Sequence, residues 1–162
     1  MSSTQATGES STEGPAAGTI DMKLEVVTLP VSDIDRARSF YESLGWRLDI
    51  DLVVSDDIRL LQMTPPHSEC SIHFGKGLYP PTAMAPGSLE RVYLAVDDID
   101  AAREDLISRG VDVSAVEEQP KPPGLDVPGR SYFAYASFSD PDGNTWVLQE
   151  ITTRIPGRGW DD

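Results

Sequence analysis

The sequence predicts an α+β fold in which two tandem βαβββ modules share one domain. Three observations lead there. The chain repeats itself at a spacing of 65 residues, each copy runs strand, helix, then strands, and segments rich in turn formers separate the parts. Residues 24–48 and 89–113 align without gaps and agree at twelve of twenty-five positions: Leu24/Leu89, Glu25/Glu90, Val27/Val92, Leu29/Leu94, Val31/Val96, Asp33/Asp98, Ile34/Ile99, Asp35/Asp100, Ala37/Ala102, Arg38/Arg103, Ser43/Ser108 and Gly45/Gly110. Chance would give about one or two. Two unrelated amphipathic helices would share apolar positions, but not the acidic residues and the glycine as well.

Each element follows from local pattern. Val27, Leu29 and Val31 alternate with other residues, as do Val92, Leu94 and Val96, and period two marks a strand with one buried face. Ser32-Asp33 and Asp97-Asp98 supply N-caps, with acid at the positive end of the helix dipole. Ile34, Ala37, Phe40, Tyr41 and Leu44 recur at helical spacing, and so do Ile99, Ala102, Leu106 and Ile107. Gly45 and Gly110 stand where a left-handed helix stop is wanted. Strands are then expected near Trp46–Val54, Ile58–Met63 and Cys70–Phe74 in the first copy. In the second they are expected near Val111–Val116, Tyr132–Phe138 and Thr145–Ile151. Asp140-Pro141-Asp142-Gly143 reads as a turn; as a calcium loop it lacks the further acidic ligands that such a loop carries. Residues 75–87 and 117–129, rich in proline and glycine, read as loops. The expected layout is a disordered tail at 1–20, a domain at 21–152 with module one at 22–79 and module two at 88–152, and a C-terminal tail at 153–162.

Composition narrows the function. Of 162 residues, 13 are Lys or Arg and 27 are Asp or Glu, a net charge of −14. Nucleic-acid binding needs a concentrated basic face, so it is not expected. No run of about 18 apolar residues offers a membrane span. Residues 1–18 lack the basic start and apolar stretch of a signal peptide, so a cytoplasmic protein is expected. Cys70 is the one cysteine and cannot form an internal disulfide; nothing in its neighbourhood activates it. With only two histidines, a divalent-ion site would need carboxylates to complete it.

The segment Leu29-Pro30-Val31-Ser32-Asp33-Ile34-Asp35-Arg36-Ala37, followed by Phe40-Tyr41 and Gly45-Trp46, and the segment Asp140-Pro141-Asp142-Gly143-Asn144 resemble those of the vicinal oxygen chelate superfamily. That group includes glyoxalase I, the bleomycin-resistance proteins and the extradiol dioxygenases, and the resemblance spans residues 22–152. It implies that the two modules curl into a half-barrel cup holding the site. Strand parity then puts Val26, Thr28, Pro30, Ser71, His73, Arg91, Tyr93, Ala95, Thr145, Val147 and Gln149 on the cup side.

Metal-dependent members of the superfamily carry one ligand on each of four strands. The resemblance places those ligands at Val26, His73, Arg91 and Val147. Valine has no lone pair and a guanidinium repels a dication, so the usual metal centre is not expected. A shifted site using Gln149, Glu150 or Glu25 is the alternative, although parity turns Glu25 and Glu150 away from the cup. Ligand contacts are expected from Thr28, His73, Arg91, Tyr93 and Gln149, with His73 the candidate acid or base. Each has a plainer reading: a satisfied structural histidine, a salt bridge of Arg91 at a seam, packing for Tyr93 and Thr28. His67 lies in a Pro-Pro-His-Ser loop and reads as surface, Trp146 as core, and Trp46 as either core or cup edge.

Three functions follow. The first is a metal-free, cofactor-free binder of a small organic molecule, as the resistance proteins are, working as a homodimer. The second is an enzyme of the lyase, isomerase or dioxygenase kind. The third is a protein-interaction module whose cup is vestigial, which a patch of exposed apolar residues outside the dimer seam would favour.

Overall fold

The computed structural model describes residues 18–77 and 84–156. Residues 1–17, 78–83 and 157–162, which hold most of the expected tails and part of the first loop, lie outside the described residues. Module one comprises β1 (Val26–Thr28), α1 (Ile34–Ser43), β2 (Arg47–Ser55), β3 (Ile58–Thr64) and β4 (Ser71–Lys76). Module two comprises β5 (Val92–Val96), α2 (Ile99–Ser108), β6 (Glu117–Glu118), β7 (Ala134–Ser139) and β8 (Thr145–Glu150). The strand orders are β1-β4-β3-β2 and β5-β8-β7-β6. In each sheet the first strand pairs parallel with the last and the other pairings are antiparallel. This is the α+β double βαβββ arrangement expected from the repeat.

The caps act as their residue types require. Asp33 Oδ1 accepts from the Arg36 N–H and Asp98 Oδ1 from the Ala101 N–H, both at 3.0 Å. After the helices, Gly45 and Gly110 adopt φ of 83° and 88°. Strand parity also holds. Leu29, Ile72, Phe74, Trp146 and Leu148 are buried in one apolar core, together with Tyr41, Trp46 and Leu106 from the helices and their exits. Trp46 belongs to this core: its ring lies 4.9 Å from Tyr41 and 5.0 Å from Trp146.

Two expectations are corrected. Ile107 shares the helical spacing but is 43% exposed, and α2 buries Ile99 and Leu106 instead. The strand expected at Val111–Val116 is replaced by the short β6, inside a stretch read as loop. Val111 and Val113 do bury their side chains, which explains the alternation. Their neighbourhood is held differently, however. Arg103 takes the carbonyls of Ser114 and Val113, and Ser114 N–H reaches Ser137 O at 2.9 Å, so no ladder forms.

The modules are joined through the Asp140–Asn144 turn. The Tyr41 hydroxyl, on α1, donates to Asp140 Oδ2 at 2.8 Å and accepts from Trp146 Nε1 at 3.0 Å. Asn144 Nδ2 donates to Pro30 O at 2.9 Å and to Asp140 Oδ2 at 2.8 Å, while its Oδ1 accepts from Leu89 N–H. Asp142 accepts from Ser32 N–H and from Arg36 Nη2, both at 3.1 Å. The linker passes so close that a Cβ on Gly87, whose φ is 79°, would lie 1.9 Å from Asp142 O.

Burial first, and then the Asp140 carboxylate, raise the Tyr41 phenol well above its ordinary 10.0. The unfolded chain therefore releases this proton before the folded one does. Stability from the pair is complete below pH 10 and falls as pH rises above it. Urea unfolding of Tyr41→Phe should show a loss of about 2 kcal/mol at pH 7, because it strips a buried, charge-assisted bond. The variant should also lose less than the parent between pH 9 and 11; equal alkaline slopes would contradict this role for the phenol.

Candidate functional site

On the face of each sheet away from the core, the alternate residues come together. In module one Thr28 and His73 are register partners, and Thr28 Oγ1 lies 2.7 Å from His73 Nε2. Gln62 stands across from His73 on β3, and Ile50 across from Gln62 on β2. Leu52 faces Leu60 one rung along, and Ile50 and Leu52 are each 44% exposed. Burial pushes the His73 imidazole below its ordinary 6.5, so it is neutral at pH 7.

In module two Tyr93 pairs with Val147, Ala95 with Gln149, Gln149 with Tyr135, and Val147 with Ser137. Arg91 stands just before β5, with φ of 59°. Few residues other than glycine adopt that conformation, and the cost recurs at ligand sites. Its N–H is held by Thr145 Oγ1 at 2.8 Å. Its guanidinium lies 5.7 Å from the Tyr93 ring centroid and donates to Tyr93 Oη at 2.7 Å. That bond raises the guanidinium pKa further, so Arg91 is a permanent cation. The rings of Tyr93 and Tyr135 meet edge to face at 6.4 Å. Arg91, Glu117, Gln119, Tyr135, Ser137 and Val147 are among the residues bounding a cavity of about 230 Å³.

Of the expected contacts, Thr28 joins His73, and Arg91 joins Tyr93. Gln149 lies on the same face beside Tyr135, with its amide Nε2 already given to Tyr132 O at 3.0 Å. Thr28 borders a different cavity, also about 230 Å³, with Pro30, Val31, Gly75, Met84 and Pro86. Each cavity thus draws its walls chiefly from one module. Tyr135, Ser137 and Glu117 are site residues that the sequence reading missed. Alternation with Ala134, Ala136 and Phe138 could have exposed the first two. Nothing in the pattern marked Glu117, because the short β6 lies in a proline-rich stretch.

The four positions that the superfamily resemblance marks for metal ligands carry side chains that do not suit a metal. Val26 and Val147 offer no donor, Arg91 is a cation, and His73 Nε2 is engaged by Thr28. Among the described residues no group of three or more His, Cys, Asp and Glu could hold a metal ion. Glu150 is buried on the core side, where it accepts from Ile99 N–H at 3.0 Å and from Arg130. His67 is exposed and away from the site, and burial raises the Cys70 thiol away from its reactive thiolate.

Comparison with known proteins fits this frame. Residues 23–148 match the Glyoxalase/Bleomycin resistance protein/Dioxygenase superfamily, and the chain belongs to it. TnmS3, an antibiotic binding protein from Streptomyces sp. CB03234, is 34% identical over 83% of this chain and 99% of its own, with a TM-score of 0.60. A superfamily member from Sphaerobacter thermophilus DSM 20745 is 27% identical over 80% of this chain and 98% of its own, with a TM-score of 0.61. A bleomycin resistance determinant encoded on the transposon Tn5 shares the fold at 20% identity, covering 82% of this chain and all of its own, with a TM-score of 0.55. No curated protein matches the chain.

The His73 environment is open to direct measurement. Its ring signals in an NMR titration should show a midpoint below 6.5, and Thr28→Val should shift those signals. A midpoint above 6.5 would mean that a charged partner, not burial, governs the ring.

Proposed function

We propose that this protein binds a small organic molecule without a divalent metal, on the open sheet faces that carry Thr28, His73, Arg91, Tyr93 and Gln149. The observation that carries the reading is the set of side chains at the superfamily's metal positions, two valines, an arginine and a histidine already bonded to Thr28. The Lewis-acid role that a metal plays in the superfamily's enzymes has no ligand set to support it at those positions. Binding needs only concave apolar surface with a few placed polar groups, which Val147, Tyr135, Arg91 and Ser137 supply. The likeness to TnmS3, described as an antibiotic binding protein, points the same way. A homodimer is part of the proposal. Ile50, Leu52, Val53 and Val54 leave a row of apolar side chains exposed on β2, at the edge of its sheet, and a second copy would cover part of it.

Four measurements on the purified full chain test the reading. Elemental analysis should find well under one transition metal per chain, and added Ni, Zn, Fe or Mn should leave the melting temperature unchanged. A thermal-shift screen of small organic molecules, antibiotics among them, should yield compounds that raise it by mass action. The chain should sediment as a dimer in the same buffer. One tightly held metal per chain, or a screen in which nothing binds, overturns the proposal.

A further inference from the structure

We infer that the module-two cavity selects a planar aromatic monoacid, with its carboxylate on Arg91 and its ring against Tyr135 and Val147. The inference rests on the small-molecule reading above and names the ligand class for one of its faces.

Charge comes first. Arg38, Arg59 and Arg130 are each bound by carboxylates at 2.6–3.3 Å. Among the described residues no carboxylate comes within 4.0 Å of Arg91, although the chain holds 27 Asp and Glu. One of its five N–H groups goes to the Tyr93 phenol, and the backbone beneath it is held in a left-handed turn by Thr145. A guanidinium fixed this way presents a planar fork, the shape that a carboxylate matches with two parallel bonds.

The walls then limit the anion. Among the described residues Arg91 is the one cation bounding the cavity and Glu117 the one carboxylate, within a chain of net charge −14. A carboxylate pairs its single charge with Arg91, whereas the second charge of a dianion such as a phosphate monoester would be left unpaired in a cavity that also holds Glu117. Glu117, Gln119 and Ser137 also offer acceptors to a hydroxyl or amine on the ligand.

Shape selects the rest of the molecule. Val147 is 4% exposed and forms an apolar floor between Tyr93 and Ser137, its partners across β5 and β7. The Tyr135 ring, set edge to face with Tyr93, gives an aromatic wall. A volume of about 230 Å³ lies below the ~300–1,000 Å³ of drug-sized sites, which suits one ring or two fused rings.

The test uses the full chain and titrates 2-naphthoate, 2-naphthamide, 2-naphthylmethylammonium, 2-naphthyl phosphate and cyclohexanecarboxylate by calorimetry. The expected result is binding of 2-naphthoate at least ~10-fold tighter than each of the others, as for a charge-assisted bond to a guanidinium. Arg91→Ala should erase the preference for naphthoate over naphthamide. Arg91→Asn, whose side chain tolerates the left-handed backbone, should do the same and guards against a folding defect. Tyr135→Leu should weaken both aromatic ligands and keep the preference between them. The inference is overturned if the amide, the amine or the phosphate binds as well as naphthoate. It is also overturned if cyclohexanecarboxylate matches naphthoate, or if the preference survives both Arg91 variants. If no member of the series binds while hits from the wider screen do, the ligand class falls and the small-molecule reading stands; if the screen is empty too, both fall.

Discussion

The Asp140 carboxylate, buried between two modules and bound by the Tyr41 hydroxyl and the Asn144 amide, is the contact on which the rest of the architecture depends. A buried charge is tolerated only when its lone pairs are taken, and here the backbone N–H groups of Asp142 and Asn144 take the other oxygen. The turn thereby acquires a fixed shape, and Asn144 and Asp142 reach from it to Pro30, Ser32 and Arg36 at the start of α1. Trp146 follows directly and packs against Tyr41 and Trp46. One short segment of module two thus sets the position of α1 and β1 of module one, and with them the place of Thr28.

Duplication gave two copies of a frame, and the copies kept their cores while their open faces diverged. Leu29 and Leu94, like Val31 and Val96, fill equivalent places in the repeat and pack in the core. On the other face Val26 and Thr28 answer to Arg91 and Tyr93. The first face sets Ile50, Leu52 and Leu60 beside the Thr28–His73 pair, with Gln62 across from His73 and the Asp49 carboxylate bonded to Gln62 and Thr64. The second carries a cation, two tyrosines and a carboxylate. A core position constrains volume and apolarity, but an open-face position constrains neither, so divergence in ligand chemistry costs the fold little.

Much of this was legible in the sequence for physical reasons. Period-two alternation told core from open face on β1, β4, β5 and β8, because successive side chains of a strand point to opposite faces of its sheet. The caps at Asp33 and Asp98 and the stops at Gly45 and Gly110 were legible because each answers a local backbone need. Less legible was whatever depends on long-range geometry. Asp-Pro-Asp-Gly reads as a turn whether or not its carboxylates reach across 99 and more residues to Tyr41 and Ser32. The valines at 111 and 113 look like a strand, although Arg103 takes the carbonyls that a ladder would need. On β2 the irregularity between Leu48 and Ile50 swaps the parity, so a simple count along the strand sends Ile50 and Leu52 to the wrong face. Arg91 was singled out from its place in the repeat, but its engagement with Tyr93 and its lack of a carboxylate partner emerge only from the fold.

The central claim is that the ligand is held by the open sheet faces and not by a metal. A crystal structure of the protein with a bound screening hit, grown with added Ni or Zn and measured at the metal's absorption edge, tests it most directly. The account predicts density for the ligand against the open faces, with polar groups within hydrogen-bond distance of Arg91 or His73. It also predicts no anomalous peak within bonding distance of the ligand. An anomalous peak coordinated by both the ligand and His73, Gln149 or Glu150 would contradict it.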